Sequence, residues 1–283
     1  MIVVTRRLAL RGITAAALFV GLGLFAAAAE SPVFVRAHAH NDYWHERPLV
    51  DALELGFASI EADVFLVDGK LLVGHDPLEL RPERTLEALY LAPLRERAAR
   101  NGGSVHGDGT RLMLFVDFKS SGPATYDALD SLLQKYSQLV SSCVDGRYQP
   151  RAVDVVISGD RPVEKLASAS SRYAAIDGRL SELAPDPPQT LIPVVSESWP
   201  DHFQWDGEGA MPDAERATLK EIVQRVHGQG RRLRFWATPE TEACWRELMS
   251  ADVDLIGTDD LKRLANFLKG SDTDRVPKDS AHP

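Results

Sequence analysis

From residue 33 to residue 269 short apolar runs alternate with amphipathic stretches, the pattern left by parallel strands joined by helices. The first strand is expected at 33–40, a short helix at 48–55 with Gly56 closing it, a strand at 58–66, and a hairpin arm at 70–73 across the turn Val67-Asp68-Gly69-Lys70. A helix at 85–100 carries Pro93 as a break near its middle; a Gly-rich surface loop covers 101–110, and RLMLFVDF at 111–118 reads as a buried strand. Leucines at 129, 132, 133 and 139 predict a helix over 125–142. Further strands are expected at 153–158, 173–176, 191–196, 233–236 and 255–257, and helices at 163–170, 213–229, 240–249 and 261–268, with a proline-rich loop at 180–188 and a long aromatic loop at 199–211. Eight strand candidates with helices between most of them predict a TIM (β/α)₈ barrel, an α/β fold in one domain over 33–269. A doubly wound sheet would need a phosphate-cradling Gly-x-Gly after its first strand, where this chain has Ala39-His40-Asn41.

On that frame the chemistry gathers between residues 40 and 76. Glu61 and Asp63 alternate on the second strand and so share a face. Two carboxylates on one face repel unless a cation sits between them, and a hard divalent ion with oxygen ligands is the simplest such cation. SIEADVFLV is too apolar for a solvated edge. His40 ends the first strand and His75 follows the hairpin, so two histidines frame the acidic strand as a candidate acid/base pair. Asp117 ends the third strand, with Lys119 two residues later on the same face. His38 precedes His40 by two on its own strand, either deeper in the barrel or competing for the role of His40. His45, His106, His202, His227 and His282 fall in loops or on helices and read as ordinary surface residues.

The wording HNDY, SIEADV and LVGHD resembles the phosphodiesterase superfamily of glycerophosphodiesterases, phosphoinositide phospholipases C and sphingomyelinase D, closest to bacterial proteins similar to altered inheritance of mitochondria protein 6. The resemblance implies a TIM barrel that cleaves phosphodiesters with one divalent cation, Mg²⁺ or Ca²⁺. It implies His40 and His75 as catalytic residues, Glu61, Asp63, Asp117 and Asn41 as metal ligands, and Lys119 facing phosphate. Asn41 departs from the His-Arg-Gly of glycerophosphodiesterases and is similar to the His-Asn of eukaryotic-type phospholipases C. RFWATPE resembles the Trp-Thr region of glycerophosphodiesterases, which implies Trp236 near the substrate, and DLIGTDD at 254–260 resembles the last-strand motif that shapes the barrel mouth. The expected substrate is a small-molecule or lipid phosphodiester, with peripheral contact to a membrane compatible with it. Two other readings stand beside this one: a catalytically silent phosphate- or lipid-binding barrel, and a metal-dependent sugar or amide hydrolase built on His38-Ala39-His40.

Composition narrows the picture. The chain has 283 residues, 44% hydrophobic and 26% charged, enough to bury a full core. Its net charge of −9 argues against a nucleic-acid partner. Residues 1–29 carry Arg6, Arg7 and Arg11 and no acid, so the remainder holds 29 basic against 41 acidic residues, a net of −12; its overall field does not draw it to anionic membranes. The basic start, the apolar run GITAAALFVGLGLFAAAA and the small residues before Glu30 read as a signal peptide for export to the periplasm or beyond, by the general or the twin-arginine route. An uncleaved anchor is the alternative. Cys143 and Cys244 read as separate thiols, residues 270–283 as a disordered tail, and the protein as a monomer.

Overall fold

The computed structural model describes Met1 and residues 32–271. The expected signal peptide and the tail beyond Ser271 lie outside the described residues.

Among the described residues twelve strands form in chain order: β1 Phe34–Ala39, β2 Phe57–Val67, β3 Lys70–Val73, β4 Leu112–Phe118, β5 Ser142–Val144, β6 Arg147–Gln149, β7 Val153–Gly159, β8 Ser171–Arg172, β9 Ala175–Gly178, β10 Val194–Ser198, β11 Arg232–Trp236 and β12 Leu255–Thr258. Eight of them, β1, β2, β4, β7, β9, β10, β11 and β12, pair in parallel in that order, and β12 returns to β1 through Ala37 opposite Ile256 and Ala39 opposite Thr258. This is the expected TIM barrel. The helices α1 Val50–Glu54, α2 Ala92–Arg100, α3 Gly122–Gln134, α4 Val163–Ser168, α5 Trp199–His202, α6 Asp213–His227, α7 Glu242–Ser250 and α8 Leu261–Lys269 come between or after these strands.

Strand alternation sorts the barrel into two environments. On β2, Ile60, Ala62 and Val64 join the large cluster shared with the helices, as do Leu114 and Val116 on β4 and Leu264 and Leu268 on α8. The opposite faces hold a small apolar group of Met113, Phe115, Val156, Val194 and Leu255, with the buried polar residues His38, Ser59, Glu61, Asp63, Asp177 and Arg234. The outer cluster supplies most of the hydrophobic stabilisation, at roughly 25 cal/mol per Å² of apolar area buried, and leaves the interior able to carry charge.

The hairpin forms as read: Val67 pairs with Lys70, and Asp68 and Gly69 both take positive φ, the two-residue turn that matches strand twist. Four expectations shift. The 125–142 helix stops at Gln134, because 142–144 is drawn into an antiparallel sheet of β6, β5 and β8. The signal for it, Val144-Asp145-Gly146-Arg147, repeats the first hairpin's turn, with Asp145 and Gly146 at positive φ. β10 starts only after Pro193, which has no N–H for the ladder, and β9 starts at Ala175 because 171–172 belongs to the second sheet. Pro93 does not break its helix: a π-turn at Glu87–Leu91, with Ala92 N–H bonded to Glu87, leads straight into α2 and leaves Pro93 in the first turn.

Candidate active site

The polar interior opens at the C-terminal end of the strands, where barrels of this kind carry their sites. β1 ends at Ala39, and His40 leads at once into a left-handed residue, Asn41 (φ 47°, ψ 38°), a conformation that asparagine tolerates. The turn Asp42–Trp44 follows, anchored by Asp42, whose carboxylate accepts from Leu49 N–H at 2.5 Å and Tyr90 O–H at 2.9 Å. Burial pushes the Asp42 pKa up to about 6 against those two bonds. His75 is placed from the other side of β2: the hairpin arm ends at Val73, His75 N–H donates to Glu79 at 2.9 Å, and Asp76 caps the next turn through Leu78 N–H at 2.8 Å.

The two histidines share one arrangement. His40 Nδ1 lies 2.8 Å from Asp259 Oδ1, and its Nε2 faces Glu61 Oε1 at 3.8 Å. His75 Nδ1 lies 2.9 Å from Asp63 Oδ2, with its ring edge-on to Trp44 at 5.4 Å. In both, a carboxylate holds Nδ1 and leaves Nε2 without a hydrogen bond among the described residues. Burial alone would lower the His40 pKa, but the hydrogen bond to Asp259 and the charge of Glu61 outweigh it, and the pKa is raised.

Beneath them lies a matched charge network. Arg234 Nη1 donates to Glu61 Oε2 at 2.7 Å and stands 2.9 Å from His38 Nε2, and its guanidinium lies over the Phe115 ring at 4.9 Å. His38 sits deeper than His40: its Nδ1 meets Ser59 Oγ at 2.7 Å and its Nε2 meets Glu61 Oε2 at 2.9 Å. Burial first, then Arg234, lowers its pKa to about 4, so it is neutral near pH 7. Ser59, His38 and Glu61 have triad-like contacts, but Ser59 is only 1% exposed and the group is enclosed. Both ring nitrogens of His38 are hydrogen-bonded. Glu61 is held well below the usual carboxylate range: burial opposes ionisation, and Arg234 and His38 override it.

Asp63 lies in a second network. Lys119 Nζ bridges Asp63 Oδ2 at 3.0 Å and Asp117 Oδ1 at 2.9 Å. Asp117 is accommodated because Gly159 stands beside it: a Cβ there would fall 2.7 Å from Asp117 Oδ1. The Tyr43 hydroxyl reaches two acceptors, Asn41 Oδ1 at 2.7 Å and Asp63 Oδ2 at 2.8 Å, and lies 3.4 Å from His75 Nδ1. Asp63 Oδ1 is buried with no hydrogen-bond partner among the described residues. Burial, then the charges of Glu61 and Asp117, raise the Asp63 pKa against Lys119. An orphaned carboxylate oxygen in an oxygen-rich pocket fits a hard cation. Among the described residues no three His, Cys, Asp or Glu side chains gather in metal-holding positions; Arg234 pairs with Glu61, and Lys119 stands between Asp63 and Asp117.

The residues expected from sequence therefore converge at one mouth, with Asn41 joined to Asp63 through Tyr43. Trp236, 44% exposed, lines an adjoining cleft of ≈260 Å³ with His40, Ala237, Thr238 and Asp259. Three participants were not foreseen: Tyr43, Arg234 and Asp259. Arg234 lies two residues before Trp236 on an alternating strand, and Asp259 two after Gly257, so alternation carried the signal. One expectation fails: His106 is 8% exposed and buried, not on the surface. His202 and His227 pair with Glu197 at 2.9 Å and Asp254 at 2.7 Å, and His282 lies outside the described residues. Cys143 and Cys244 are separate buried thiols.

Residues 28–177 match the family model of the AIM6-like phosphodiesterase domain, more than half of the chain. The chain belongs to this family. Altered inheritance of mitochondria protein 6 of Eremothecium gossypii is 32% identical over 272 residues, covering 83% of this chain and 70% of the relative. The homolog from Arthroderma benhamiae is 28% identical over 267 residues, 82% of this chain and 83% of its own. The Saccharomyces cerevisiae protein is 28% identical over 268 residues, 79% of this chain and 68% of its own. These relatives are fungal, and the bacterial side of the expected resemblance is not tested by them. The match to the AIM6-like domain takes in His40, Glu61, Asp63, His75, Asp117 and Lys119; Arg234, Trp236 and Asp259 lie beyond it.

Proposed function

We propose that this AIM6-like protein is an exported, metal-dependent phosphoric diester hydrolase acting on a glycerophosphodiester or phospholipid head group. The observation that carries the proposal is the paired device of His40 and His75, which flank the acidic strand, each with Nδ1 held by a carboxylate and Nε2 without a hydrogen bond among the described residues. An Mg²⁺ or Ca²⁺ ion held by Glu61, Asp63 and Asp117, with Asn41 beside them, would neutralise charge on the phosphate.

The rest is work for side chains. One imidazole takes the proton of the attacking hydroxyl through Nε2, while the other, protonated, gives its Nε2 proton to the leaving alkoxide. Asp259 and Asp63 keep each ring oriented and stabilise its imidazolium form. Lys119 and Trp236 face the substrate, one toward the phosphate and one toward the group it carries. Among the described residues no serine or cysteine touches His40 or His75, so the attacking oxygen belongs to water or to the substrate itself. A substrate with a hydroxyl next to the phosphodiester passes through a cyclic phosphate: its oxygen bonds to phosphorus as the P–O bond to the leaving alkoxide breaks.

The test is phosphorus NMR of a glycerophosphodiester or lysophospholipid reaction, beside an analogue lacking that hydroxyl, with and without EDTA. The expected result is a transient cyclic phosphate from the first substrate only, activity lost in EDTA and restored by Mg²⁺ or Ca²⁺. Full turnover in chelator rejects the metal; equal rates for both substrates without cyclic product reject the route; no hydrolysis of any phosphodiester favours the silent barrel. Export is checked by intact mass, which should place the mature N-terminus within a few residues of Ala29.

A further inference from the structure

At the opposite, N-terminal end of the barrel a second cavity of ≈290 Å³ lies between the first residues of the strands and the small antiparallel sheet β5, β6 and β8. Met113, Val155, Val156, Ala174 and Pro193 give it apolar walls. Three arginines line it, Arg111, Arg172 and Arg232, against one acid, Asp154. Arg111 and Asp154 neutralise each other through Nε and Oδ2 at 3.1 Å, and Tyr148 O–H takes the second oxygen of Asp154.

That leaves two cations unmatched. Arg172 is 7% exposed. Its Nη2 donates to Thr190 Oγ1 at 3.2 Å, but its Nε is buried with no hydrogen-bond partner, and it forms no ion pair among the described residues. Arg232, exposed at the start of β11, likewise has no side-chain hydrogen bond or ion pair among the described residues. A guanidinium buried without a counter-charge is costly unless an anion completes it. A planar fork of donors is suited to a carboxylate or a phosphoryl group, and the apolar walls favour an uncharged body behind that head.

We propose that this cavity is a binding site for a small organic anion, its oxyanion head on Arg172 and Arg232 and a short apolar body against Met113, Val155 and Pro193. The site is separate from the histidine-bearing mouth and does not depend on the reaction assigned there. Its size suits a ligand near the lower end of ordinary small-molecule pockets.

The experiment is isothermal titration of the full chain at 150 mM salt with benzoate, phenyl phosphate and uncharged benzyl alcohol, each to about 10 mM, a range chosen for weak single-head ligands. At least one anion should bind at least about tenfold more tightly than benzyl alcohol, the scale of a charge-assisted hydrogen bond. The tighter of the two identifies the head as carboxylate or phosphoryl. Arg172→Gln and Arg232→Gln should each weaken binding by about tenfold or more, while His40→Ala binds as the parent does. Arg232 is exposed, so its variant keeps the test open even where Arg172→Gln fails to fold. Absence of heat from both anions, binding that survives Arg232→Gln, or loss of binding in His40→Ala would overturn the proposal.

Discussion

At the mouth of the barrel the buried charges are matched: Arg234 with Glu61, and Lys119 with Asp63 and Asp117. At the base, Arg172 is as deeply buried as Arg234, and among the described residues its guanidinium hydrogen-bonds only the Thr190 hydroxyl. Desolvation penalises both sets, and the mouth offsets it internally. The contrast separates two ways of being ready for a ligand. The mouth fixes where protons and acceptors stand before anything arrives, as catalysis by preorganised groups requires. The base leaves a charge for its ligand to complete.

The largest effect that would break this comparison is at the histidines. His40→Ala and His75→Ala should each lower the rate by about 10²–10⁴-fold, the usual range for one general acid or base. Thermal midpoints should hardly move, since both side chains are substantially exposed, at 39% and 50%. A variant that unfolds instead would mean that the pair is structural. Next comes the matched network. Arg234→Met should destabilise by ~3–5 kcal/mol in urea denaturation, because it strands Glu61 in the interior. Arg172→Met should be neutral or stabilising, since it removes a charge that has no partner. Equal losses in the two would erase the distinction between mouth and base.

The third effect sharpens what burial does alone. Burial comes first in lowering both His38 and His106 to pKa values of about 4, with Arg234 adding to it at His38 and Arg97 adding less at His106. A folded-state pKa of about 4 against 6.5 unfolded means no penalty above pH 6.5 and a growing loss of stability as pH falls from 6.5 to 4. His106→Leu should remove that loss, so its stability relative to the parent rises by on the order of 2–3 kcal/mol across the window. A constant difference from pH 7 to 4 would refute the assignment. The smallest effect is at the rim: Trp236→Ala should raise KM by less than about tenfold and leave kcat nearly unchanged, as loss of one aromatic contact implies.

Much of this was readable from residue order because barrel strands obey a period of two. Glu61 with Asp63, His38 with His40, and Asp117 with Lys119 fell on shared faces as alternation requires. The same rule pointed to Arg234 from Trp236, but an arginine among apolar neighbours carries no sign of the carboxylate it will meet 173 residues away in the chain. Tyr43 was hidden by a local event, the left-handed turn at Asn41 that swings its hydroxyl onto Asp63. The base sheet was missed because leucine spacing outweighed the Asp145-Gly146 turn, and His106 because burial of a residue within a Gly-rich loop leaves no periodic trace.

The pairing of His40 with Asp259 has a temporal consequence. Most of the acidic and cationic groups of the mouth come from residues 38–119, yet the carboxylate that holds His40 arrives 219 residues later, beside the last strand. A chain emerging from the ribosome can dock β1, β2 and β4 long before β12 exists. Until the final strand closes against the first, one imidazole lacks its partner, so the acid/base pair is completed only when the barrel itself is whole.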